Sequence, residues 1–124
     1  MLGNSSNTIT FESKDENLYY PGVYDIEPKE LAQKIDQVRL IDVRQPEEFT
    51  GDLGHIPGSQ LIVLDNFENE IHKVPTDKPI VLICRSGGRS AMAATLAVEL
   101  GLKNIYNLKG GMILWNELHL ETEI

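Results

Sequence analysis

The sequence has a single cysteine, Cys84, so no disulfide can form within the chain. A covalent adduct on that sulfur must be discharged by an outside molecule. Basic residues are also scarce. Eleven Lys and Arg against nineteen Asp and Glu give a formal net charge of −8. That argues against nucleic acid as a partner, because a phosphate backbone needs a dense basic surface. A local basic pocket for a small anion stays compatible, since a few close donors set its field. No apolar run reaches 18 residues, which excludes a membrane-spanning helix. The opening stretch "MLGNSSNTITFESKDENL" lacks the positive charge and apolar core of a secretory leader. With one cysteine and no leader, a reducing cytoplasm is the expected setting. The three histidines, His55, His72 and His119, are scattered and form no ligand spacing with Cys84. Neither a metal nor an organic cofactor is expected.

What is present suffices for one domain with one hydrophobic core. Residues 1–22 read as a polar arm, with "ESKDEN" a solvated stretch and Tyr19 and Tyr20 placed to pin its end; residues 23–124 read as the domain. "EPKELAQKI" (27–35) predicts a short helix, with Pro28 in the first turn and Leu31 and Ile35 spaced i, i+4. "QVRLIDV" (37–43) predicts a strand, "PEEFTG" a helical turn, and 61–64 a further strand. Phe67, Ile71 and Val74 give helical spacing over 66–74. "PIVLIC" (79–84) is the clearest buried strand and ends at the cysteine. "SAMAATLAVELGL" predicts a helix, with Ser90 as cap or first-turn residue and Gly101 beyond its end. "NIYNL" predicts a last strand and "GGMILWNELHL" a last helix, with Gly110 and Gly111 as the turn between them and Trp115 packing against the sheet. Alternating strands and helices define an α/β fold, a mainly parallel central sheet flanked by helices on both faces.

Ligands in such sheets bind beyond the carboxyl ends of the strands, and Cys84 lies at one. The loop "CRSGGRS" follows it and opens a helix. Its glycines can turn successive N–H groups toward one centre, and the helix adds the unpaired N–H groups of its first turn. The result is an oxyanion cradle of Arg85, Ser86, Gly87, Gly88, Arg89 and Ser90 around Cys84, a field that favours a thiolate. The guanidinium forks of Arg85 and Arg89 suit a sulfonate or phosphate group. Cys84 to Arg89 is a C-x4-R spacing. That loop is one residue shorter than the protein-phosphatase pattern and leaves room for little more than one terminal atom on the sulfur, as in a persulfide.

The segments "LIDVRQPEEFTGDLGHIPGS", "PIVLICRSGGRSAMAATLAVELG" and "NIYNLKGGMILWNE", in that order, resemble the single-domain rhodanese (sulfurtransferase) family, over roughly residues 23–119. The resemblance implies a rhodanese-like fold and transfer of a sulfane sulfur through a persulfide on Cys84. It implies a small anionic sulfur donor, thiosulfate or another persulfide, and an acceptor that is an external thiol, a partner protein or cyanide. The family's acidic and basic pair falls on Asp42 and Arg44, with Glu47 shortly after. A structural role is expected for that pair, holding the loops in place, and likewise for His55 as a loop-fixing residue. Two alternatives stay open at this point. One is a small cysteine phosphatase or arsenate reductase using the same thiolate; the other is a rhodanese-like protein-binding module without catalysis. Nothing in the sequence fixes the oligomeric state, and a monomer is compatible with it.

Overall fold

The structure is a computed structural model that describes residues 9–124. Among the described residues, six strands form one sheet in the order β1-β2-β6-β5-β3-β4. They are β1 (Asp15–Glu16), β2 (Tyr24–Ile26), β3 (Arg39–Asp42), β4 (Gln60–Leu61), β5 (Ile80–Ile83) and β6 (Ile105–Leu108). Only β1 runs antiparallel, against β2; every other pairing is parallel. The helices are α1 (Pro28–Gln33), α2 (Pro46–Phe49), α3 (Phe67–Glu70), α4 (Gly88–Glu99) and α5 (Gly111–Glu117). The mostly parallel α/β fold expected from the sequence is the one observed.

The central strands show why both faces carry helices. All four residues of β5 are buried, and they alternate in the side they face. Ile80 and Leu82 join the core under α3 and α4, with Ile41, Phe67, Ala94 and Ala97. Val81 and Ile83 join the opposite core under α1 and α5, with Leu31, Met112 and Trp115. This is the period-two geometry of a strand buried on both faces. On α4 the buried residues are Ser90 and four alanines, Ala91, Ala93, Ala94 and Ala97, so the helix axis lies close to the sheet. The helix ends in a Schellman motif: Leu102 N–H donates to Ala97 O at 3.0 Å and Gly101 N–H to Val98 O at 2.9 Å, with Gly101 at φ +90°.

The structure departs from the sequence reading in three places. The strand expected over 61–64 pairs only at Gln60–Leu61 and then turns into a 3-10 turn at Leu64–Asn66. As an edge strand it has one neighbour, yet Ile62 and Leu64 N–H still bond Asp42 O and Val43 O. The helical stretch 66–74 divides into α3 and a 3-10 turn at Ile71–Lys73. Finally, β1 and β2 add two strands that the sequence pattern did not mark. Upstream of them Phe11 is buried in the α1/α5 core and meets Tyr106 edge-on at 5.0 Å. Burying a side chain of that size contributes about 2 kcal/mol. Of the two tyrosines placed to pin the arm, Tyr20 packs on the core and Tyr19 stays exposed. The part of the arm in residues 1–8 lies outside the described residues. Among those described, no helix is long and apolar enough to cross a membrane.

Candidate active site

Cys84 follows β5 directly and is buried. Two donors reach its sulfur: Gly87 N–H at 3.0 Å and the Ser90 hydroxyl at 3.2 Å. Gly87 precedes α4 at φ +107°, a left-handed conformation that side chains disfavour. That turn aims its N–H back at the sulfur. Ser90 sits in the first turn of α4, so its hydroxyl lies over the same atom, whereas the N–H groups of Gly88, Arg89 and Ser90 have no acceptor within the helix.

The other side of the loop is fixed by α5. Met112 N–H donates to Cys84 O at 2.9 Å and Ile113 N–H to Arg85 O at 3.0 Å. Peptide planes are rigid, so turning these two carbonyls toward α5 turns the N–H groups of Arg85 and Ser86 the opposite way. Close approach is needed for this. A Cβ on Gly111, at φ +58°, would lie 2.5 Å from both Cys84 O and Arg85 O. Of the glycine pair read as a simple turn, Gly111 is therefore what lets the helix touch the loop.

The two arginines part company. Arg85 is exposed and borders a cleft with Glu47, Asp52 and Leu53. Arg89 is engaged: its Nη1 and Nη2 each donate to one oxygen of Glu48 at 2.8 Å. Those bonds from Arg89 pull the Glu48 carboxyl down to about 2, against the upward push of burial and with help from the Gln45 N–H; the pairing raises Arg89 in turn. Glu48 also closes a capping box with Gln45 at the start of α2. Ser86 and Gly88 are exposed and line a second groove beside Tyr19, Asp25 and Lys109.

Asp42 and Arg44 form a fully buried pair, Nη2 to Oδ2 at 2.8 Å and Nε to Oδ1 at 2.9 Å. Arg44 Nη2 also donates to Gly54 O at 2.7 Å, which ties the end of β3 to the 51–58 loop. His55 stacks on Phe49 at 3.7 Å, bonds Phe49 O through Nδ1 at 2.8 Å and meets the Glu123 carboxylate at 3.3 Å. Its partners hold α2 and the tail. Among the described residues no group of three or more His, Cys, Asp or Glu is placed to hold a metal ion.

The structure adds residues the sequence reading did not single out. Ser90 Oγ bonds Asn107 Oδ1; Asn107 Nδ2 donates to Asp25 Oδ1 at 2.9 Å and to Gly87 O at 3.2 Å. Asn107 is buried in β6 between Tyr106 and Leu108. A lone amide inside an otherwise apolar strand was the available signal. Glu48 had its own signal in the capping-box spacing.

Comparison with known proteins agrees with this geometry. Residues 27–118 match the Rhodanese-like domain family. The chain is 43% identical over 79 residues to YqhL, an uncharacterized protein of Bacillus subtilis, covering 64% of this chain and 61% of that one. It is 34% identical over 92 residues to the thiosulfate sulfurtransferase GlpE of Pseudoalteromonas translucida, covering 74% of this chain and 85% of GlpE. A rhodanese-related protein of Thermoplasma volcanium superposes with a TM-score of 0.74 at 30% identity, over 80% of this chain and 96% of its own. The chain belongs to the rhodanese-like domain family.

Proposed function

We propose that the protein is a sulfurtransferase that carries a sulfane sulfur on Cys84. The observation that carries this reading is the convergence of Gly87 N–H and Ser90 O–H on the Cys84 sulfur at the carboxyl end of β5. Both donors support a thiolate, and a thiolate attacks without losing a proton in the same step. The thiolate takes the outer sulfur of thiosulfate. A Cys84–sulfur bond forms, the sulfur–sulfur bond of the donor breaks, and sulfite leaves with its electron pair. Arg85, exposed at the rim, holds the departing sulfonate oxygens together with the loop N–H groups. Arg89 keeps the loop in place through Glu48 and adds its charge from there. In the second half an acceptor nucleophile, such as an external thiol, a partner protein or cyanide, attacks the terminal sulfur and returns Cys84 as the thiolate. Neither half needs a metal or an organic cofactor. The reading places the reaction in a reducing cytoplasm, and one chain carries every group it uses.

The phosphatase and arsenate reductase readings need room for a tetrahedral anion over the sulfur. The C-x4-R loop and the commitment of Arg89 to Glu48 speak against both. The test is intact mass measurement of the reduced protein after thiosulfate, before and after cyanide, with Cys84→Ser in parallel. A gain of one sulfur atom, removed by cyanide and absent in the variant, is expected. No gain with either thiosulfate or glutathione persulfide would overturn the reading.

A further inference from the structure

The side-chain amide of Asn107 has a forced orientation. Its Nδ2 faces two groups that only accept, the Asp25 carboxylate and the Gly87 carbonyl, so its Oδ1 is the atom turned to Ser90. Asp25 is held in turn by Asn17 Nδ2 at 3.0 and 3.2 Å. Asn17 is fixed because its Oδ1 accepts from the backbone N–H groups of Tyr19 and Tyr20, at 2.9 and 3.1 Å. From that backbone to Asn107, each bond has one direction available. At Ser90 the direction opens. Its hydroxyl has one proton and two acceptors, Asn107 Oδ1 and Cys84 Sγ.

We infer that Asn107 is a positioning residue that governs the state of Cys84 by competing with its sulfur for the single proton of Ser90. While Cys84 is a thiol, its S–H points to Ser90 Oγ and Ser90 donates to Asn107. Once the thiol has lost its proton to solvent, Ser90 turns to the sulfur. Asn107 Oδ1, buried in β6, is then left without its donor, an unfavourable state. In a persulfide the negative charge moves to the terminal sulfur, the Cys84 sulfur becomes a weak acceptor, and Ser90 returns to Asn107. Asn107 therefore disfavours the bare thiolate relative to both the thiol and the loaded form, which draws sulfur onto the enzyme. The inference deepens the sulfur-transfer reading for the loaded form, while its core needs only that Cys84 ionises.

The test uses the full chain and the rate of Cys84 alkylation by iodoacetamide at pH 7. Asn107→Leu keeps the size and removes the competing acceptor, so alkylation is expected to quicken by up to about tenfold. Ser90→Ala is expected to slow it, and Asn107→Leu/Ser90→Ala to match Ser90→Ala. The charged groups of the neighbouring elements, Asp25 on β2, Asp42 and Arg44 at the end of β3, Glu48 on α2, Arg89 on α4 and Lys109 after β6, are the same in every variant. No gain in Asn107→Leu overturns the inference. So does a gain that persists without Ser90, because that marks a loosened loop admitting more reagent. A second measurement needs no change at Asn107. In the wild type, the Asn107 carboxamide carbon resonance is expected to move with pH at the midpoint of the alkylation profile, and to stay still in Cys84→Ser. A resonance that ignores Cys84 overturns the inference too. Neither readout involves sulfur transfer, so failure here leaves the transferase reading standing, and failure of sulfur loading leaves this one standing.

Discussion

Arg89 and Glu48 lie 41 positions apart in the chain, and both nitrogens of one fork meet both oxygens of the other at 2.8 Å. The pair joins the first turn of α4 to α2, and so ties the loop after Cys84 to the segment after β3. The fork that the sequence reading expects on an anionic substrate lies on Glu48 in this structure. An arginine so placed fixes the start of α4 against α2.

Glu48→Gln is expected to lower stability at pH 7 by about 1 kcal/mol, a modest figure because both partners are partly exposed. Its pH dependence follows from the lowered carboxyl. Folding pulls Glu48 from 4.5 to about 2, so the contribution is complete above pH 4.5 and is lost as pH falls from there to about 2. Urea unfolding at several pH values should show the wild type and Glu48→Gln converging at the acid end. A constant gap across that window would refute the assignment.

Arg44→Met leaves the Asp42 carboxylate buried and unpaired, which costs about 3–5 kcal/mol. Asp42→Leu/Arg44→Met removes both charges and should recover a large part of that loss. Chemical denaturation of the three proteins checks this. A double variant no better than the single one would mean that the bond to Gly54 O, and not the ion pair, is what matters.

Gly111→Ala and Gly101→Ala separate strain from contact. Both positions have positive φ, but a Cβ at Gly101 meets nothing within 4 Å, while at Gly111 it meets the loop carbonyls. Gly101→Ala should cost about 1 kcal/mol and leave sulfur loading intact. Gly111→Ala should cost more than about 2 kcal/mol and reduce loading, because the loop must retreat. Equal loading in the two variants would argue that α5 does not shape the cradle.

Glu30 staples the N-terminal stretch to α1. It accepts from Glu12 and Ser13 N–H, both at 2.8 Å, and from Lys34 at 2.6 Å. Burial pushes its carboxyl up, yet the bonds from Lys34, Ser13 and Glu12 outweigh that and hold it at about 2. Its contribution is therefore complete above pH 4.5 and fades as pH falls toward 2. Hydrogen exchange at the Glu12 and Ser13 amides should quicken markedly in Glu30→Gln at pH 7, with little change in β5. Unchanged exchange at both amides would remove Glu30 from this role.

The centre of the fold was legible because its signals are local. Four apolar residues before Cys84 make a buried strand in any context, and an alanine-rich run closed by glycine makes α4. The cysteine and its glycine loop were legible for the same reason, being contiguous. What was not legible depends on pairs distant in sequence. The bond from Asn107 to Asp25 spans 82 positions, and no periodicity announces it. β1 and β2 are too short to carry an alternating pattern, and Ile9 and Phe11 are a single apolar pair in a polar stretch, too little to announce their packing on the α1/α5 core. The Arg89–Glu48 pair was not legible because a guanidinium beside a cysteine looks the same whether it awaits a ligand or holds a carboxylate.

The family match begins at residue 27, and a protein trimmed to that boundary would lack three residues that support β6 directly or through one another. Phe11 would leave a hole against Tyr106, Asp25 would no longer hold the Asn107 amide, and Asn17 would no longer hold Asp25. The cysteine, the loop and the helices would all remain. A shortened chain of that kind can keep every signature by which its family is recognised and still present a differently tuned sulfur. Assays meant to speak for this protein need the residues that precede the recognisable part.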